Sequence, residues 1–149
     1  MNSTGKVASL VYALLLLACA FFAGFDTFWT AFAIGDGDGQ IGIAAGALLI
    51  STLLGGVGLA IASLGSWTGS RGISLIALVS ALAVLPMAVL FGWGQGRACL
   101  INSRLGFHYS VWEWTADILP PFLGLAAVVW SGVRFRRFKA QSPVTLLTR

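Results

Sequence analysis

IGIAAGALLISTLLGGVGLAIASL, residues 41–64, contains no charged side chain and repeats small residues at steps of three and four. A bilayer crossing needs about 20 mostly apolar residues in helical form, and this stretch supplies them. Three more stretches of the same kind lie around it: 7–33 before it, 73–93 and 118–133 after it. Hydrophobic residues make up 58% of the 149-residue chain and charged ones 9%. Soluble domains carry roughly 25% charged residues, so a soluble fold of this size could not bury so much apolar surface. The expected fold class is therefore an all-α integral membrane protein. It is a compact bundle of four transmembrane helices forming one domain over residues 1–149, with no soluble module.

The polar residues between the spans carry the orientation. If Lys6 is inside, the inner segments hold Lys6, Arg71, Arg134, Arg136, Arg137, Lys139 and Arg149. All five acids, Asp26, Asp36, Asp38, Glu113 and Asp117, then face outward with Arg97 and Arg104. Lysine and arginine bias in short loops orients helices during insertion. Both termini are expected inside, with loops 34–40 and 94–117 outside, in a bacterial inner (cytoplasmic) membrane. The net charge of +4 comes from the cluster Arg134, Arg136, Arg137 and Lys139 after the last span. It reads as an anchor to anionic lipid at the start of a basic tail, 134–149, and not as a nucleic-acid surface. The six tryptophans fit the same scheme. Trp29, Trp93, Trp112 and Trp114 stand at one set of boundaries and Trp67 and Trp130 at the other, where amphipathic rings prefer to lie.

Lipid provides no hydrophobic drive between helices, so a bundle is held by close approach along seams of small residues. The predicted seams are Ala13, Ala20, Gly24, Thr27 and Ala31 in the first helix, and Ala44, Ser51, Gly55, Gly58, Ala62 and Gly65 in the second. They continue as Ser74, Ala77, Ala81 and Ala88 in the third, and Gly124, Ala127 and Ser131 in the fourth. Gly42 and Gly46 add a small-xxx-small pair. Ser110 and Glu113 form a capping box, which places the start of the fourth helix near Val111 and gives it the range 111–133. Pro120-Pro121 interrupts its hydrogen-bond ladder, and a kink is expected there.

Lys6, the following apolar run and Leu16-Leu17-Ala18-Cys19 resemble a cleavable signal. The chain stays apolar after Cys19, so an uncleaved first helix is the expectation. Cys19 and Cys99 lie at different depths and belong to no Cys-x-x-Cys pair, so neither a mutual disulfide nor thiol redox chemistry is expected. Asp36-Gly-Asp-Gly-Gln-Ile41 resembles part of a calcium loop. Its first and twelfth ligand positions are Ile34 and Ala45, which are not oxygen ligands, so it reads as an acidic turn. The only histidine, His108, cannot ligate haem in a pair. No metal or other cofactor is expected, and no protease, hydrolase, P-loop or Rossmann motif is present.

The candidate binding group is an outer polar cluster: Asp26, Arg97, Arg104, His108, Glu113 and Asp117. An acid within a span is costly and marks a functional position by default, although Asp26 also suits a helix end at the headgroups. Glu113 and Asp117 share a helix face and also complement the macrodipole of a first turn. Opposite charges near lipid are expected to pair, giving at least one ion pair between Arg97 or Arg104 and a carboxylate. Two functional classes follow. One is a non-catalytic protein working through contacts with a membrane partner or a second copy, such as an accessory subunit or an immunity-type protein. The other is a small oligomeric transporter or channel for a cation or proton. The second and third spans hold no ionisable group, which favours the first.

Overall fold

Ser3–Gly35 form α1, Ile43–Gly65 α2, Arg71–Arg104 α3 and Val111–Ala140 α4 in the computed structural model, with a 3-10 turn at Ser66–Thr68 between α2 and α3. Residues 3–35, 43–104, 106 and 110–140 are described, and all the regular structure among them is helical. Four stretches are long and apolar enough to cross a membrane: Gly5–Phe28, Ala45–Thr68, Arg71–Gly94 and Ile118–Arg137. The Asp36–Ile41 turn, Gly42 and residues 141–149 of the basic tail lie outside the described residues.

Each helix packs antiparallel to its neighbour. Ser63 Oγ donates to the Ala13 carbonyl at 2.9 Å, tying α2 to α1. Ser51 Oγ donates to the Ala83 carbonyl at 3.3 Å, tying α2 to α3 in the turn before Pro86. Gly124 of α4 faces Leu85 of α3, and farther along Gly132 faces Leu78. Tyr12 of α1 and Ser131 of α4 close the ring through a 2.7 Å hydroxyl–hydroxyl hydrogen bond. Short connections between antiparallel neighbours are the up-down arrangement of four-helix bundles. One end, called here the terminal end, gathers the start of α1, the 3-10 turn and the end of α4. The other, the far end, gathers the end of α1, the start of α2, the end of α3 and the start of α4.

The α2 seam behaves as its spacing predicts. A β-carbon at Gly55 would sit 2.8 Å from Val84 Cγ2 and 2.9 Å from the Ser80 carbonyl oxygen, and one at Gly58 would collide with the Ser80 hydroxyl. Ala62 is wholly buried. Gly56, one position off this seam, faces Ala23 of α1, so α2 presents small residues to two partners. The α3 residues Ser74, Ala77, Ala81 and Ala88 are buried, as are Ala127 and Ser131 of α4.

In α1 the predicted face is turned. Its buried line is Ser9, Tyr12, Leu16, Cys19, Ala23 and Asp26, with Ala13 at the edge. Gly24 meets open space. The spacing of three and four was legible, but side-chain size misled its phase. Where four helices meet, the centre needs volume as well as close approach, and Tyr12, Leu16 and Leu59 fill it at 1%, 0% and 0% exposure.

α3 is longer than its apolar run. It continues through Pro86 to Arg104, 34 residues or about 50 Å of rise, so the segment expected as a long loop from residue 94 is largely helix. Its first turn is capped by Ser70, whose Oγ accepts from the Ile73 N–H at 3.1 Å. Gly69 takes a left-handed φ of 62° to end the preceding turn, a conformation that favours glycine. α4 begins at Val111, where the capping box placed it, and is assigned as helix without a break through Pro120 and Pro121. Those prolines withdraw two donors, leaving the carbonyls of Ala116 and Asp117 without their helical partners.

Candidate functional site

At the far end, α1 carries Asp26 into the bundle. It continues the buried line of Cys19 and Ala23 and is 2% exposed, so it lies among the packed helices. It is not isolated there. Arg97 and Arg104 lie on the extension of α3, both exposed. Their side chains, with Leu100 and Ile101 between them, line one shallow outward-facing depression. The Arg97 guanidinium rests 5.3 Å from the centroid of the Trp93 ring one turn back. His108 lies outside the described residues, as do the side chains of Glu113 and Asp117 in the first turns of α4. Of the predicted cluster, the structure thus brings Arg97 and Arg104 to one face and places Asp26 in the interior.

The terminal end holds a polar group that the sequence did not single out. Arg134 lies three residues before the end of the fourth span at Arg137, and it turns into the bundle. Its Nη2 donates to Ser9 Oγ at 3.5 Å and to the Ser66 carbonyl at 3.4 Å. Its guanidinium carbon lies 4.5 Å from the centroid of the Tyr12 ring, within cation–π range. Tyr12 in turn is fixed by its hydroxyl bond to Ser131 and by Trp130, whose ring centre is 5.6 Å away at a 42° tilt. Two helices and the 3-10 turn therefore hold one arginine: α1 through Ser9 and Tyr12, the turn through Ser66, and α4 through its own backbone.

Two polar atoms here are buried without a hydrogen-bond partner, Arg134 Nη1 and Ser66 Oγ. Ser66 as a whole is 2% exposed. The nearest acid on the same helix, Asp117, is about 25 Å back along the axis at about 1.5 Å per residue. More positive charge gathers at this end. Arg71 lies over the Phe135 ring, 5.0 Å from its centroid, beside Arg134 in sequence. Lys6, Arg136 and Arg137 are exposed on the first and last turns of the bundle. The basic cluster is thus divided. Arg136 and Arg137 point outward as a lipid anchor requires, whereas Arg134 is folded in; the Lys139 side chain lies outside the described residues.

Sequence reading grouped Arg134 with its basic neighbours because charge alone does not tell which face a residue takes. The available signal was Tyr12, a phenol in the middle of an apolar run, together with Ser131 and Arg134 one turn apart on α4. No grouping of three or more His, Cys, Asp or Glu side chains that could hold a metal occurs among the described residues. Comparison of the chain with protein-family models, with curated proteins and with solved structures yields no match in any of the three.

Proposed function

We propose that this chain is a non-catalytic membrane protein, an accessory-type subunit that works by seating a helix of another membrane protein against its outer half. The observation that carries this reading is the contrast between a filled centre and an uncovered fourth helix. Tyr12, Leu16 and Leu59 fill the middle of the bundle, which favours contacts at the perimeter over passage through the interior. The fourth span is the one its own chain covers least, 22% against 39% for the third. At the start of that span and in the turns of α4 before it, Val111, Thr115, Ile118, Leu119 and Phe122 line an open apolar groove of about 420 Å³. An apolar helix is the occupant whose shape and chemistry suit such a groove. A bend at Pro120-Pro121 would tilt these outer turns and widen it.

The reading includes an orientation. Lys6, Arg71, Arg136 and Arg137 share the terminal end, which the positive-inside bias places on the cytoplasmic side of a bacterial inner membrane. Cysteines introduced at positions 69 and 103 test this: the second should be labelled from outside in intact cells and the first only after lysis.

Native co-purification in mild detergent tests the contact. A stoichiometric partner chain that is lost when Thr115→Trp and Leu119→Trp fill the groove supports the reading. A chain that purifies alone, or a partner indifferent to both substitutions, refutes it. A homo-oligomer broken by the same substitutions would make the occupant a second copy.

A second reading rests on Asp26, since a buried acid in a span is a functional position by default. If the protein moves a cation or proton, Asp26→Asn should abolish transport in proteoliposomes while the chain still folds.

A further inference from the structure

We propose that the terminal end is a binding site for a phosphate-type oxyanion, held by Arg134 and Ser66 beneath the Tyr12 ring. This site lies at the opposite end from the groove on α4 and is independent of the reading above. The missing partner is defined by the two atoms that lack one. Arg134 Nη1 only donates hydrogen bonds, and Ser66 Oγ has a hydroxyl proton to give. Both are buried, and a buried donor left unmade costs more than the average hydrogen bond contributes. The absent group is therefore an acceptor.

It is also an anion. The guanidinium carries a full charge, the acids of its own helix stand at that helix's other end, and Arg71 beside Phe135 adds positive charge. A guanidinium N–H makes a charge-assisted hydrogen bond to a phosphate oxygen, and Nη1 is the nitrogen left to make it here. One non-bridging oxygen can take the Nη1 proton while a second takes the Ser66 hydroxyl. Nη2 is already committed to Ser9 and to the Ser66 carbonyl, and those bonds fix the guanidinium's plane. The Tyr12 ring covers one face of the guanidinium, and the edge that carries Nη1 is the one without a hydrogen-bond partner. The site lies within about a turn of the ends of spans one, two and four, near where a headgroup phosphate would reach. The same chemistry would serve a lipid phosphodiester or free inorganic phosphate.

The test is the thermal unfolding midpoint of the whole protein in neutral detergent, titrated separately with two probes. One is short-chain phosphatidylglycerol, with a neutral glycolipid of equal chain length as its control. The other is sodium phosphate, with sodium chloride at equal ionic strength as its control. A ligand that binds only the folded state raises the midpoint in a saturable way, by several degrees at about 100 times its dissociation constant. A rise with phosphatidylglycerol alone assigns the site to a lipid headgroup. A rise with inorganic phosphate, alone or as well, assigns it to the phosphate group itself.

Arg134→Gln should weaken the effect at least about tenfold, and Arg134→Lys should also weaken it because a single ammonium cannot both keep the bonds to Ser9 and the Ser66 carbonyl and meet the ligand as Nη2 and Nη1 do. Ser66→Ala is the variant that cannot fail by misfolding, since it removes an unsatisfied buried hydroxyl. It should unfold no earlier than the parent without ligand, yet lose about threefold or more in affinity. The double variant Arg136→Gln/Arg137→Gln, on exposed positions, should stay within about twofold of the parent. The proposal is overturned if neither probe exceeds its control, as expected were the two atoms satisfied by water. It is equally overturned if Ser66→Ala and Arg134→Gln respond like the parent, or if the exposed double variant loses the effect.

Discussion

Arg134 and Arg97 each lie within about one turn of the end of a span, on opposite sides of that end, and have opposite fates. Arg134 is three residues inside the end of the fourth span and Arg97 three residues beyond the end of the third. Arg134 is drawn inward, donating to Ser9 and to the Ser66 carbonyl, under the Tyr12 ring. Arg97 is exposed and rests on Trp93 of its own helix. The difference lies in the neighbours. At the terminal end, α1 and the 3-10 turn bring hydroxyl and carbonyl oxygens to within reach of α4. On the far side, α3 runs on past its span to Arg104, and both arginines face outward in a shallow depression with Leu100 and Ile101. Near the end of a span, the place of an arginine is set by the acceptors other helices offer it as well as by its depth along its own helix.

The harshest way to break this comparison is to part the helices that both ends rely on. Gly58→Leu drives four heavy atoms into Ser80 of α3 and should cost about 3 kcal/mol, seen as loss of folded yield in detergent. Leu53→Phe, at a position 52% exposed, should change stability by no more than about 0.5 kcal/mol. Equal losses at the two positions would mean that α2 does not meet α3 along its glycines.

Arg134→Ala is next in size. It removes two hydrogen bonds, the contact with Tyr12 and the packing of a half-buried stem, together about 2 kcal/mol by thermal or denaturant unfolding. Tyr12→Phe sharpens the cause. Losing the 2.7 Å bond to Ser131 should cost about 1 kcal/mol, and adding Ser131→Ala should cost little more, since the two changes delete one interaction. Full additivity in that cycle would show that the two hydroxyls are not coupled. The smallest effect belongs to Arg97→Ala, at or below about 0.5 kcal/mol for an exposed cation–π contact. An Arg97 effect as large as that of Arg134 would erase the distinction between the two ends.

What the sequence determined by itself is what depends on long averages and local chemistry. Uncharged runs such as residues 41–64 define the spans, because apolar length is additive along a helix. Ser110 marks the start of α4 because capping involves only neighbouring residues, and the glycines of α2 mark a seam because any close partner needs that space. The tertiary structure alone decided what depends on the facing helix. It turned α1 so that Tyr12 and Leu16 face the centre, because four helices leave a volume there that small residues cannot fill. It carried α3 on to Arg104 through residues without apolar periodicity. It also separated Arg134 from Arg136 and Arg137, which are alike in sequence. A helix turns about 100° per residue, so adjacent residues of identical charge face different surroundings, and only the packed neighbours determine which one finds Ser9, Tyr12 and Ser66.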